Sequence, residues 1–220
     1  VFPHEHAQAF NARLSAVTTM SHYVSRVLAD SGVGLPLPVV GVGTDHVRDV
    51  APDAAPLAAW LPEADTERMT FLHISSCFPR KGVDVLLAAW HATFSADDAV
   101  VLILKTFPNP HHDIARELAE WRRACPQGAP VQLINADLDA AAVRALYARA
   151  DALVAPSRGE GFGLPMAEAM WCDVPVITTG GGGQRDFCTP ETAWLIDYDH
   201  ARARTHMGQF ASVWAEPWAA

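Results

Sequence analysis

From Thr70 onward the sequence alternates between short apolar runs and longer amphipathic segments, and this pattern constrains the fold more than any other feature. The short runs are typical of buried strands, whereas the longer segments repeat apolar residues at helical spacing. Strand–helix units of this length predict an α/β fold, a parallel sheet with helices on both faces. Ligands bind such sheets beyond the carboxyl ends of the strands.

The pattern gives approximate bounds for each predicted element. Strands are predicted at Phe71–Ser75, Val100–Lys105, Val131–Ile134, Ala152–Ala155, Val174–Thr178 and Ala193–Ile196. Helices are predicted at Val83–Phe94, His112–Cys125, Ala140–Ala150, Pro165–Trp171 and Ala201–Trp214. Asp137 or Asp139 is expected to cap the third of these helices, because a carboxylate accepts from free N–H groups there.

The first 65 residues have a different character. A helix is predicted at His4–Leu14, a short strand at Ala16–Thr19, and a second helix that Ser21 caps. Leu37–Val42 is a β-rich run. Val47–Asp65 is rich in Ala and Pro, a composition that is typical of a linker.

The loop after the predicted strand Ala152–Ala155 has the features of an anion-binding site. Gly159, Gly161 and Gly163 lack a Cβ, so their backbone N–H groups can approach a ligand closely. Pro165 stands where a helix should begin, since it needs no N–H partner there. A strand, a glycine-containing loop and a helix N-terminus together favour a bound negative charge.

Two carboxylates flank this loop, Glu160 within it and Glu168, which we place in the first turn of the helix. A carboxylate cannot hold a phosphate, but it accepts hydrogen bonds from hydroxyl groups. A site that combines an anion cradle with two carboxylates suits a ligand with phosphates and sugar hydroxyls. A nucleotide-sugar has both.

Glu160 and Glu168 lie in GEGFGLPMAEAM, which is followed by DVPVIT, and this stretch resembles the E-x7-E signature of group 1 retaining glycosyltransferases of the GT-B fold. The resemblance implies that Glu160 contacts the donor sugar near the reacting centre and that Glu168 binds the ribose hydroxyls. It also implies that backbone amides face the sugar and the diphosphate at Gly161, Phe162, Gly163 and Leu164. The alternative is a solvated loop glutamate and a glutamate at a helix start.

A second element, SSCFPRKGVDVLL, resembles the family's R-x4-K-G sequence, whose Arg and Lys hold the donor diphosphate. Lys81 and Gly82 match, but the Arg of the pattern falls on Ser76. Arg80 offers a positive charge at the neighbouring position. Fixed cations stabilise a diphosphate and a leaving nucleotide. The alternative is a basic pair on the surface.

Several other residues at predicted strand ends stay ambiguous. Lys105 ends a strand, and its charge lies either in the ligand cleft, on a phosphate, or in solvent. Asn135 and its neighbours either border the nucleobase or cap the next helix. Gly180–Gly183 either lines the sugar pocket or forms a mobile loop.

Neither of two D-x-D triplets, which begin at Asp137 and Asp197, is expected to bind a metal, because short acidic triplets are common at helix caps. The four cysteines show no C-x-x-C spacing and are expected to be free, reduced thiols: Cys77, Cys125, Cys172 and Cys188.

Composition excludes several classes of protein. The net charge of −9 argues against nucleic-acid binding. With no apolar run of about 18 residues and no signal-peptide pattern, we expect a cytoplasmic protein without a membrane span. Peripheral association of the full-length protein with the inner face of the membrane is left open. The chain does not begin with Met, so we expect a fragment of a longer protein.

The resemblance covers residues 70–215 well and 15–50 loosely, and it implies a Rossmann-like donor-binding domain at 70–220. Residues 1–50 would be the tail of an N-terminal GT-B domain whose larger part is missing, and 51–69 the linker. The implied reaction moves a hexose from a UDP- or GDP-linked sugar to a glycan or lipid-linked acceptor, with retention and without a metal or other cofactor. The alternatives are a non-catalytic nucleotide-sugar-binding module and an epimerase of the same fold.

Overall fold

The computed structural model describes residues 2–61, 67–109 and 113–200. Within these ranges the molecule is built on a sheet of six parallel strands in the order β3-β2-β1-β4-β5-β6. The strands are β1 (Met69–Ile74), β2 (Val100–Thr106), β3 (Val131–Asn135), β4 (Ala152–Ala155), β5 (Val176–Thr179) and β6 (Trp194–Ile196). The sheet confirms the α/β fold predicted from the alternating pattern.

Helices precede the sheet and connect its strands. They are α1 (His4–Arg13), α2 (His22–Asp30), α3 (Asp45–Arg48), α4 (Val83–Thr93), α5 (Ile114–Ala124), α6 (Ala140–Arg149) and α7 (Leu164–Trp171). Two predicted caps are confirmed, because Ser21 accepts from the N–H of Val24 at 3.2 Å and Asp139 from that of Ala142 at 2.9 Å. Each cap satisfies one of the free N–H groups at a helix start.

The strand order reverses at the middle of the sheet. β1 pairs with β2 on one side and with β4 on the other, where Phe71 lies opposite Ala152 and Leu72 opposite Leu153. The chain therefore leaves β1 and β4 in opposite directions. In parallel sheets the loops at such a reversal leave a crevice at the carboxyl edge, which is the usual ligand site.

The two faces of the sheet carry separate apolar cores, which confirms that helices cover both sides. One core joins the sheet to α4 and α5, with Leu87, Trp90 and Leu118 almost fully buried. The other joins it to α6 and α7, with Leu146 and Met166 equally buried. Since α4 follows β1 and α7 follows β4, the two loops that flank the crevice lead to helices on opposite faces.

Residues 45–61 pack against the second core. Val47 in α3, Leu57 in a short 3-10 helix (Ala55–Leu57) and Leu61 are all buried among residues of α6 and α7. The N–H of Asp53 also donates to the carbonyl of Ala141 at 3.0 Å. The predicted division into a tail, a linker and a donor domain stays a prediction, but part of the linker segment shares the core of the sheet.

The strands predicted near residues 16–19 and 37–42 reduce to one parallel bridge between Thr19 and Val39. α1 and α2 make a small core of their own beside this bridge, around Ala7, Leu28 and Val33. The helix predicted at 201–214 lies outside the described residues.

In the described part of the chain, no helix has both the length and the apolar character that crossing a bilayer requires. All four cysteines are described, and each is a free thiol. The cytoplasmic location stays a prediction.

Candidate active site

The turn between β1 and α4 approaches the loop after β4 very closely. Pro79–Lys81 forms one 3-10 turn, and Gly82 follows with a φ of 71°. A Cβ on Gly82 would stand 2.0 Å from the carbonyl oxygen of Pro156. The glycine is therefore required both by its left-handed backbone and by the contact between the two loops.

Hydrogen bonds in both directions lock these two loops together. The N–H of Arg158 donates to the carbonyl of Arg80 at 2.7 Å, and the Arg80 guanidinium donates to the carbonyl of Gly159 at 3.0 Å. Arg158 also pairs with both oxygens of Asp84, at 2.8 Å each. This hydrogen-bonded pair lowers the pKa of Asp84 and raises that of Arg158. The loops thus form one unit at the reversal of the strand order.

The centre of this unit is the carboxylate of Glu160, which is nearly buried. Lys81 Nζ lies 2.5 Å from Glu160 Oε1, and Ser157 Oγ donates to the same oxygen at 2.8 Å. Arg80 Nη1 lies 3.6 Å from Glu160 Oε2. Burial lowers the pKa of Lys81, and the neighbouring Glu160 opposes that shift. The two cations and the carboxylate predicted from separate motifs are therefore brought together in one cluster.

The N-terminus of α7, at Leu164, lies four residues after Glu160. Gly163 has a φ of 92° and precedes Leu164, so the helix begins one residue before Pro165, the start that the sequence predicted. In the described part of the chain, the N–H groups of Gly161, Phe162, Gly163 and Leu164 meet no protein acceptor. They are available to a ligand, as is usual at a helix start.

Glu168 lies in the second turn of α7, not in the first turn as predicted, because the helix begins at Leu164. Its carboxylate is held from both sides. His46 Nε2 lies 2.7 Å from Oε1, and the hydroxyl of Tyr147 donates to Oε2 at 2.7 Å. Burial and then the charge of Glu168 raise the pKa of Tyr147 well above its usual value, so Tyr147 stays a donor.

A segment of the N-terminal part of the chain, around α2, contacts the loop that carries Glu160. Ser21 Oγ donates to the carbonyl of Gly161 at 2.6 Å. The N–H of His22 donates to Asp186 Oδ2 at 2.8 Å. Residues separated by 140 positions thus meet at the loop that carries the first glutamate of the signature.

The glycine-rich segment 180–183 is packed against this loop. The N–H of Gly183 donates to the carbonyl of Glu160 at 2.8 Å, and a Cβ on Gly183 would lie 1.9 Å from the carbonyl oxygen of Gly161. A Cβ on Gly181 would meet the ring of Tyr198 at 2.7 Å. These contacts favour the first of the two interpretations, a segment built into the site, and its contact with a sugar stays a prediction.

Lys105 lies near the carboxyl end of β2 and is almost fully buried. Burial lowers the pKa of its amine, and the negative charge of Asp137 opposes the shift. Lys105 reaches the same edge of the sheet as Lys81, because it is paired with Ile74 at the end of β1. A phosphate contact stays a prediction.

Neither D-x-D triplet forms part of a metal cluster: within residues 2–61, 67–109 and 113–200, no three His, Cys, Asp or Glu side chains gather closely enough to hold an ion. Asp139 caps α6 instead.

Sequence reasoning missed four residues of the site: His46, Tyr147, Ser157 and Arg158. Ser157 and Arg158 lie in the loop that carries Glu160, so their position in the sequence could have identified them as candidate site residues. His46 is 122 residues from Glu168 in sequence, and only the packing of α3 on α7 reveals it.

A family model described as Glycosyl transferases group 1 matches residues 68–207. A GDP-mannose-dependent alpha-mannosyltransferase of Mycolicibacterium smegmatis is 39% identical over 71 residues, which are 32% of this chain and 19% of that protein.

Two of the solved structures that resemble this fold cover most of the chain. HepE of Anabaena, solved with UDP and glucose, has a TM-score of 0.73 at 21% identity, over 89% of this chain and 54% of that one. The sucrose-phosphate synthase of Thermosynechococcus elongatus has a TM-score of 0.73 at 24% identity, over 97% and 54%. The chain therefore spans about half the length of these structures, and the similarity supports the GT-B fold.

Proposed function

Because the chain belongs to the group 1 glycosyl transferase family, we propose that it carries the donor site of a retaining hexosyltransferase. The donor would be a UDP- or GDP-linked sugar, and the acceptor a hydroxyl of a glycan or a lipid-linked molecule. The observation that carries the proposal is the contact of Lys81 with Glu160, which joins two family motifs 79 residues apart at the crevice of the sheet.

In the proposed reaction, charge builds on the diphosphate as its bond to the sugar breaks, while the sugar takes on oxocarbenium character. Lys81 and Arg80, which both contact Glu160, would stabilise the developing negative charge, and the amides from Gly161 to Leu164 would add further hydrogen bonds. Arg80 would supply the charge that the family pattern has at the position of Ser76. Glu160 would orient the sugar. We propose that these groups act without a metal ion.

The Lys81–Glu160 pair has a mechanistic consequence. In the structure the Lys81 ammonium group is paired with the Glu160 carboxylate. A diphosphate that binds must therefore replace Glu160 as the partner of the ammonium group. Glu160 is then released to accept from a sugar hydroxyl, because a carboxylate is an acceptor and not a donor. Diphosphate binding and the orientation of the sugar would therefore be coupled through this one contact.

Calorimetric titration of the full chain with UDP, GDP and ADP tests the proposal, together with thermal shifts. We expect at least one nucleoside diphosphate to bind and to raise the melting temperature. Lys81→Ala should weaken binding by roughly tenfold or more, since it removes a charge-assisted contact to phosphate. Arg123→Ala, which removes a cation from the last turn of α5, is the matched control and should leave affinity unchanged.

Glu160→Gln separates catalysis from binding. In a longer form that carries the acceptor half, this variant should lose turnover more than donor affinity. A non-catalytic binding module would show no turnover in any form, and an epimerase would convert the donor without an acceptor. Absence of binding by all three nucleotides would contradict the proposed function.

A further inference from the structure

The carboxylate of Glu168 has two partners of different character. Tyr147 is fully buried, and its hydroxyl covers Oε2 from the α6 side. His46 covers Oε1, and its side chain is 50% exposed, whereas that of Glu168 is only 7% exposed. Oε2 therefore faces the protein interior, and a ligand from solvent reaches this carboxylate beside the imidazole of His46.

Hydrogen-bond chemistry assigns a hydrogen to Nε2 of His46. A carboxylate oxygen can only accept, so Nε2 of His46 carries a hydrogen and donates it to Oε1. Each carboxylate oxygen can accept more than one hydrogen bond, which leaves Oε1 able to accept from a ligand hydroxyl as well. The histidine thus holds the carboxylate without occupying it fully.

The short helix α3 fixes the position of His46. Val47, which follows His46, is buried in the core shared with α6 and α7. The next residue, Arg48, places its guanidinium 5.5 Å from the ring centroid of Trp171, at the end of α7. Two anchors within two residues leave the His46 backbone little freedom, so its contact with Glu168 is built into the fold.

We propose that His46 is a positioning residue of the nucleoside site, which orients Glu168 so that Oε1 accepts from the ribose hydroxyls. The inference rests on the proposed function, in which Glu168 binds ribose. Without His46, the carboxylate can rotate about its last side-chain bond and be solvated on its exposed side. The ribose contacts would weaken, while contacts to the diphosphate and the base would not.

A ribose-specific comparison tests this inference in the full chain. Calorimetry measures the affinity for GDP and UDP and for their 2′-deoxy and 3′-deoxy counterparts. In the wild-type chain the ribonucleotide should bind more tightly than the deoxynucleotide. In His46→Ala this ratio should fall toward one, by roughly fivefold to tenfold, while affinity for the deoxynucleotide changes little.

His46→Gln keeps an N–H donor at a similar distance from the backbone and should restore most of the ratio, which loss of stability would not explain. It also keeps the test available if the alanine variant does not fold. His4→Ala removes an exposed histidine of α1 and is the control, for which the ratio should not change.

Three outcomes would overturn the inference. A ratio that His46→Ala leaves unchanged shows that the histidine does not position the carboxylate. Tighter ribonucleotide binding by His46→Ala shows that the imidazole competes with ribose. A wild-type ratio of one shows that Glu168 does not contact ribose. In each case nucleotide binding itself persists, whereas loss of all nucleotide binding would overturn the proposed function as well.

Discussion

His73, next to the last residue of β1, is a buried titratable residue beneath the candidate site. Its Nδ1 donates to the carbonyl of Val154 at 2.8 Å, so Nε2 accepts from Ser75 Oγ at 2.7 Å. Burial is the main cause that lowers the pKa of His73 to about 4; the charge of Lys81 adds to the shift, and the Val154 carbonyl and Glu160 oppose it. The ring is therefore neutral in the folded protein at ordinary pH.

This pKa predicts a dependence of stability on pH. Between pH 6.5 and 4 the unfolded chain protonates His73 and the folded chain does not, so stability falls as the pH falls through this range. The loss of unfolding free energy that His73 causes over this range is about 3 kcal/mol, because each pH unit between the two pKa values changes it by about 1.4 kcal/mol. Urea unfolding of wild type and His73→Asn from pH 4 to 7.5 measures it.

The difference in unfolding free energy between the two proteins should change by about that amount across the range. It should be constant above pH 7, where both states of the chain hold the ring neutral. The exposed His4→Ala is the control. If His73→Asn and wild type share one pH profile, the ring is not neutral and buried as described.

At the scale of elements, the loop after β4 is defined by its neighbours as much as by its own glycines. The turn that carries Lys81 meets it at Gly82, and the segment 180–183 meets it at Gly183. An exposed ion pair between Arg158 and Asp84 also links the loop after β4 to the start of α4. Two segments therefore fix the position of the loop that carries Glu160, each through a backbone approach that only a residue without a Cβ permits.

Two substitutions within the glycine-rich segment test this packing. Gly183→Ala puts a methyl group 1.9 Å from the carbonyl oxygen of Gly161, so one of the two segments must move. We expect a loss of about 2 kcal/mol in unfolding free energy and weaker nucleotide binding. Gly180→Ala is the matched control, since its nearest neighbour is 3.4 Å away and its φ is not left-handed.

Chemical denaturation and calorimetric titration of both variants provide the measurement. Gly180→Ala should stay close to wild type in both. Equal effects of the two substitutions would mean that the segment is not packed against the Glu160 loop in solution, and that the second interpretation, a mobile loop, is the better one.

On the scale of the whole molecule, residues 45–61 belong structurally with the sheet that follows them. They bury Leu57 and Val47 in the core on the α6 and α7 side, and α3 brings His46 to Glu168. The predicted linker thus contributes Leu57 to the core, and His46, which falls in the predicted N-terminal tail, reaches the candidate site.

Leu57→Ala should therefore lower the unfolding free energy by about 2–4 kcal/mol, because it leaves a cavity in a shared core. Leu57 is 4% exposed, whereas the nearby Trp60 is 37% exposed, and Trp60→Ala should cost less. Urea unfolding of both variants gives the comparison. No loss of stability in Leu57→Ala would show that the segment detaches from the sheet in solution, as a linker would.

The amino-acid sequence by itself determined the features that depend on local order. Strand and helix alternate because apolar spacing fixes which face of each element is buried. The caps at Ser21 and Asp139 and the helix start at Leu164 follow from residues within three or four positions. The signature that carries Glu160 is local too, which is why the family and the α/β fold could be predicted.

The tertiary structure alone decided which of these local features meet. Pairing of β1 with β4 brings Lys81 to Glu160, and the packing of α3 and α6 on α7 brings His46 and Tyr147 to Glu168. Such contacts join residues far apart along the chain. They depend on strand order and on how complete helices pack, and no short stretch of sequence encodes either, because both follow from burying all the apolar faces together.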